Sequence, residues 1–168
     1  MGRIAAVVLA AGEASRFGAP KQRLLLPRVL ERLHEASVDE IVVVEGAYEL
    51  EDAPAARVVR CDDWVRGPGA SLRCGLSALG GDVNAAVVIM ADGPELSPAA
   101  VERVLAAWRD EGDIVAASYG GARGHPLVVG RDRWHDVPDE GLRARAARLV
   151  ACDDLGAPGD VDRPEDLS

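Results

Sequence analysis

Lysine is almost missing from this chain: of its 19 basic residues only Lys21 is one. A GC-rich genome that writes arginine by default explains the ratio, but not why the one lysine stands where it does. Basic charge as a whole is short, with a formal net charge of −9, which argues against nucleic acid or an anionic membrane as the main partner. Long apolar runs are also missing, and none approaches the ~18 residues that a membrane span needs. The opening "MGRIAAVVLAAG" has too short an apolar core, and only Arg3 before it, for a secretory signal. Cysteine is scarce. Cys61, Cys74 and Cys152 show neither disulfide parity nor metal spacing, so the expectation is free thiols in a reducing cytoplasm. No close pair of histidines suggests zinc.

The 168 residues, 48% of them apolar, suit one domain with a sizeable core. Unbroken apolar runs at Ile4–Ala10, Ile41–Val44, Ala85–Met90 and Ile114–Ala117, with a shorter "RVVRC" near Val58, predict strands buried on both faces. Helical patterns fall between them. Pro27 is placed to open a helix whose face is Val29, Leu30, Leu33 and Ala36. Ala70–Leu79 and Pro98–Asp110 follow, the second with Ser97 as N-cap. Leu142–Val150 and the closing "RPEDL" also read as helical. The alternation predicts a three-layer α/β/α, Rossmann-like fold with a mostly parallel sheet. Ligands in such sheets sit beyond the carboxyl ends of the strands, where the strand order reverses.

Five stretches at those ends carry chemistry. "LAAGEASRFGAPK" leaves the first strand through small residues and then gathers Arg16, Gly18 and Lys21. Bare backbone N–H groups can face a phosphate that the two cations neutralise; an ordinary strand exit with surface charges fits as well. "MADGPEL" puts Asp92 at a strand end before a Gly-Pro turn, where a carboxylate can hold Mg²⁺ or simply shape the turn. In "RGPGASLRCGL", Gly67 and Gly69 leave the backbone bare before Ser71, and Arg73 can reach a phosphate; the alternative is a plain first helical turn. "RGHPLVVGR" carries His125, structural or substrate-facing. "GDVDRPEDL" carries Asp160 and Asp162, which can cap a helix or complete a metal site.

In this order, the five stretches resemble the MobA-like nucleotidyltransferases, most closely the molybdenum cofactor cytidylyltransferases. The resemblance covers residues 1–168 as one domain. It implies transfer of a nucleoside monophosphate, CMP from CTP, to a phosphorylated acceptor of molybdopterin type, with release of pyrophosphate. It further implies that Leu9, Ala10, Ala11 and Gly12 line the nucleotide, that Arg16 and Lys21 hold the triphosphate, and that Gly69 and Ser71 approach it. Asp92 and Asp162 would be Mg²⁺ ligands, and His125 would face the acceptor. Arg16, Lys21 and Asp92 would be the catalytic set. A molybdoenzyme or a cofactor-insertion protein is the implied partner. Departures stand out: "DGP" replaces "DQP", Arg163 replaces Thr, and the segment after Leu26 is short. Two other readings follow from them, a GTP-using guanylyltransferase on another small acceptor and a nucleotide- or cofactor-binding protein with little turnover.

Overall fold

The computed structural model describes residues 2–11, 21–47, 49–50 and 55–159, without the side chains of residues 21–23. Seven strands form one sheet: β1 (Arg3–Ala10), β2 (Glu40–Glu45), β3 (Arg57–Arg60), β4 (Val83–Met90), β5 (Ile114–Tyr119), β6 (Ala122–Gly130) and β7 (Arg148–Ala151). Their order is β3-β2-β1-β4-β6-β5-β7. All neighbours are parallel except β6, which runs antiparallel to both β4 and β5. The helices are α1 (Lys21–His34), α2 (Pro68–Ser77) and α3 (Pro98–Glu111).

Strands buried on both faces still divide their side chains by the two-residue period. On β1, Ile4, Ala6, Val8 and Ala10 join a core cluster with Leu26, Val29 and Leu33 of α1 and Val101, Val104 and Leu105 of α3. Val7 points the other way, into a second cluster with Leu72 and Leu76 of α2. The predicted three layers are therefore present, with α1 and α3 on one face and α2 on the other.

Three local expectations change. Helix α1 begins at Lys21, not at Pro27, and carries the proline inside it. An internal proline costs about 3 kcal/mol, but Leu25 and Leu26 are each only 1% exposed, and burying each contributes roughly 1.5–3 kcal/mol. Packing wins, and Pro27 lies on the exposed side. The helix expected over Leu142–Val150 is instead a short 3-10 turn, Leu142–Ala144, followed by β7. The Arg145 N–H closes the turn on the Leu142 carbonyl at 2.9 Å, Arg145 is extended, and the guanidinium of Arg123 donates to the Leu142 and Arg145 carbonyls at 2.8 and 2.7 Å, which fixes the chain where it leaves the turn. Ser97 does occupy the N-cap position of α3, but its side chain makes no capping hydrogen bond.

The cysteines also differ from expectation. Cys61 and Cys74 are disulfide-bonded, and only Cys152 is free. The two lie 13 residues apart, far from any metal or redox spacing, and the fold brings the end of β3 onto α2.

Candidate active site

The chain runs from β1 outward to β2 and β3, then returns to place β4 on the other side of β1. That reversal lies between β1 and β4, where Leu9 pairs with Met90 and the Ala91 N–H donates to the Leu9 carbonyl at 3.1 Å. Ala10 and Ala11 are buried at this exit. Because β6 runs backwards, its start joins the same edge as the carboxyl ends of β4 and β5. This explains how a histidine at a strand's beginning reaches a site at strand ends.

Two cavities open there. The first, about 510 Å³, is lined by Met90, Asp92, Gly93, Tyr119, Gly124, His125 and the Ala157–Gly159 segment, among others. The second, about 380 Å³, is lined by Leu9, Pro68, Leu72, Met90, Arg123, Gly124, His125 and residues 140–143, among others. Met90, Gly124 and His125 belong to both. They form the partition between two chambers. Both are mainly apolar; the first has the Asp92 carboxylate at its wall, and the second has Glu140 together with the cations Arg123 and Arg143.

Asp92 is half-buried at the end of β4. The turn after it is held by the Glu95 N–H, which donates to the Pro158 carbonyl at 2.8 Å. The segment from which "GDVDRPEDL" continues is thereby tied to the Asp92 turn. Among the described residues, no group of three or more His, Cys, Asp or Glu side chains is arranged to hold a metal. One carboxylate plus substrate phosphates is nevertheless a sufficient donor set for Mg²⁺, which keeps several waters. Asp92, a hard oxygen donor in a cavity wall, fits that role.

His125 is held by its backbone. The Tyr119 hydroxyl donates to the His125 carbonyl at 2.7 Å, and Gly124 allows the tyrosine close, since a Cβ there would stand 3.0 Å from the Tyr119 ring. Burial, aided by the charge of Arg123, pushes the His125 imidazole down to about 4. It is thus neutral at pH 7 and presents a hydrogen-bonding group, not a cation. Burial pushes the Tyr119 phenol up to about 12. Burial also lowers Arg123 below the usual guanidinium range.

The third motif has a different local use. A Cβ on Gly69 would lie 1.6 Å from the Pro138 carbonyl oxygen, and the Gly69 N–H donates to the Asp139 carbonyl at 2.8 Å. The glycine admits the chain's own backbone. Ser71 is buried at 3% exposure. Arg73 does not face a phosphate: it donates to the Val137 carbonyl at 2.7 Å and to the Asp139 carboxylate at 2.5 Å. Arg66 reaches the same carboxylate at 3.3 Å. These cations, Arg73 first, hold Asp139 below the usual carboxylate range. Lys21 starts α1, while Gly12, Arg16, Asp160 and Asp162 lie outside the described residues. Sequence reasoning passed over Tyr119, Met90 and the 136–145 segment. For Tyr119 the only signal was its place six residues before His125.

A MobA-like NTP transferase domain matches residues 6–154. The chain belongs to that family. It is therefore a nucleotidyltransferase, and solved structures agree on the fold. Rv0371c from Mycobacterium tuberculosis H37Rv is 25% identical at TM-score 0.81, with 98% of this chain and 95% of that one covered. The same protein has been solved as a complex with manganese, at TM-score 0.80. A nucleotidyl transferase from Methanothermobacter thermautotroptrophicus, Mth528, is 24% identical at TM-score 0.74, covering 98% and 94%. CMP:2-keto-3-deoxy-manno-octonic acid synthetase complexed with CTP is 14% identical at TM-score 0.71, covering 98% and 95%. No curated protein matches the chain significantly.

Proposed function

We propose that this nucleotidyltransferase is a Mg²⁺-dependent cytidylyltransferase that transfers CMP from CTP to a small phosphorylated acceptor of molybdopterin type. One observation carries the reading: two adjoining cavities, the second alone lined by cations among the described residues, share Met90, Gly124 and His125 at the reversal between β1 and β4. A two-substrate transfer needs two chambers that meet at the reacting atoms. The nucleotide enters beside Leu9 and Pro68, with Ala10, Ala11 and, by resemblance, Gly12 near it; Gly69 and Ser71 support the Pro68–Leu72 wall from behind, and the acceptor occupies the chamber of Asp92 and Tyr119. The acceptor phosphate oxygen attacks the α-phosphorus, and pyrophosphate leaves with the electron pair of the broken P–O bond. Asp92, with Asp162 by resemblance, would hold the metal, which supplies charge neutralisation on the phosphates. Arg16 and Lys21 bind the departing pyrophosphate, and neutral His125 orients the acceptor. A side-chain base is unnecessary, since an acceptor phosphate is already ionised and catalysis rests on alignment and charge.

Support for cytidine comes from "LAAG" and from the CTP-bound fold neighbour. Support for a divalent ion comes from manganese in the Rv0371c complex. We infer a cytoplasmic reaction from the nucleoside triphosphate donor, with a molybdoenzyme or insertion protein receiving the product. Among the described residues, no helix is long and apolar enough to cross a membrane.

A second reading, nucleotide binding with little turnover, is favoured by the loop covering Gly69. Thermal shift with Mg²⁺ and each of CTP, GTP, ATP and UTP separates the possibilities. A larger shift from CTP supports the cytidylyl reading, and one from GTP supports the guanylyl alternative. Equal shifts mean that only phosphates are read, while a shift without pyrophosphate release on adding acceptor supports the binding reading.

A further inference from the structure

The loop that walls the second cavity is closed by a covalent bond. Cys61 directly follows β3 and is bonded to Cys74 in α2, with the Cα atoms 5.8 Å apart. Between them lie the 3-10 turn Trp64–Arg66 and the start of α2, including Pro68 and Leu72 of the cavity wall. Cys61 is fully buried and Cys74 half-buried, so one sulfur can be attacked and the other is shielded. Cys152 belongs to the core cluster on the other face of the sheet, which leaves the pair without an internal exchange partner. Disulfides in cytoplasmic proteins are commonly transient and redox-sensing.

We propose that the Cys61–Cys74 disulfide is a redox latch on nucleotide binding: closed, it fixes the Pro68–Leu72 wall against the sheet; open, it loosens that wall. The proposal rests on the second cavity being the nucleotide side. The opening step is ordinary thiol–disulfide exchange with a dithiol reductant. Its thiolate attacks the Cys74 sulfur, the S–S bond breaks, and Cys61 leaves as a thiolate that takes up a proton. The reductant's second thiol then displaces Cys74, so two electrons and two protons reach the protein and the reductant becomes a disulfide. A place waits for the new Cys61 thiol, because its sulfur lies 3.6 Å from the Ala70 carbonyl oxygen, an acceptor within the first turn of α2. The open form keeps other tethers on this wall, the contacts of Gly69, Arg66 and Arg73 with residues 137–139 and the packing of Leu72 and Leu76 in the core. The wall therefore relaxes without detaching.

The test uses full-length protein, purified under air and compared before and after dithiothreitol. Thiol counting in denaturant should give one free thiol before reduction and three after. Melting should fall on reduction by on the order of 6–12 °C, the scale for opening a loop of this length in a chain of this size. The CTP dissociation constant with Mg²⁺ should rise on the order of fivefold or more, as for other coupled sites, and recover on reoxidation. Cys74→Ser should behave as the reduced parent and ignore dithiothreitol. Three free thiols in the air-oxidised protein, or equal nucleotide affinity in both forms, would overturn the latch. If no nucleoside triphosphate stabilises either form, the functional reading itself falls and takes the latch with it.

Discussion

The phenol of Tyr119 and the backbone carbonyl of His125 are joined by a 2.7 Å hydrogen bond that closes the β5–β6 hairpin over the first cavity. Through it, a side chain on one strand sets the position of the residue that partitions the two chambers. Tyr119→Phe keeps the ring against Gly124 and removes only the donor. A net loss of about 0.5–1.5 kcal/mol is expected, read as a melting temperature lower by roughly 2–5 °C in a chain of this size. The acceptor KM should rise more than kcat falls, because the bond positions His125 and touches no reacting atom.

His125 gives the fold an acid-sensitive point. Its folded value, about 4, lies below the ordinary 6.5, chiefly through burial and then through Arg123. The unfolded chain therefore binds the proton first as pH falls. Stability from neutral His125 is complete above about pH 6.5 and is lost progressively between pH 6.5 and 4. The full loss is on the order of 2–3 kcal/mol after allowance for its partial exposure. In His125→Gln, chemical denaturation should show a shallower fall across that window, measured at constant ionic strength.

Most of the sheet was legible because unbroken apolar runs leave few alternatives to buried strands. Asp92 and His125 could be placed for the same reason: a short turn after one strand and the start of another restrict where each side chain can be. Four features were not legible, each decided by packing or contacts that local pattern does not carry. Pro27 sits inside α1 because Leu25 and Leu26 are buried on the sheet. Residues 142–150 stop at one 3-10 turn because Arg145 is extended, its carbonyl and that of Leu142 held by the distant Arg123, and the chain goes on as β7. Gly69 looked bare for a ligand, but the chain's own Pro138 fills the space. The Cys61–Cys74 bond belongs with these, since three cysteines gave no pairing by count.

Arg73 offers a test of what holds the 137–139 segment. Its guanidinium spans the Val137 carbonyl and the Asp139 carboxylate, and Arg66 alone cannot replace both. Arg73→Ala should increase hydrogen exchange at residues 137–142 while leaving β4 and β6 protected. An unchanged exchange pattern would show that the backbone packing at Gly69 is sufficient by itself.

Lys21 and Arg16 test the triphosphate assignment. Lys21→Ala should weaken CTP binding much more than CMP binding, because the ammonium is assigned to the outer phosphates. Lys21→Arg should restore it only in part, since a planar guanidinium does not reproduce a compact charge. Arg16→Ala should weaken the same binding. Calorimetric titration with both nucleotides checks all three, and Lys21 variants that bind CTP as the parent does would make the single lysine a compositional accident.

Asp92 is assigned to the transfer reaction at the edge of the sheet, not merely to shaping a turn. Asp92→Asn keeps the size and most of the turn's hydrogen bonding and removes the charge. The decisive measurement is the rate of pyrophosphate release from CTP, with Mg²⁺ and a phosphorylated pterin acceptor, by folded Asp92→Asn relative to the parent. The expected rate is lower by at least ~100-fold, the scale of losing one strong electrostatic contact in a transition state. A rate equal to the parent's would contradict the assignment and leave Asp92 a structural residue.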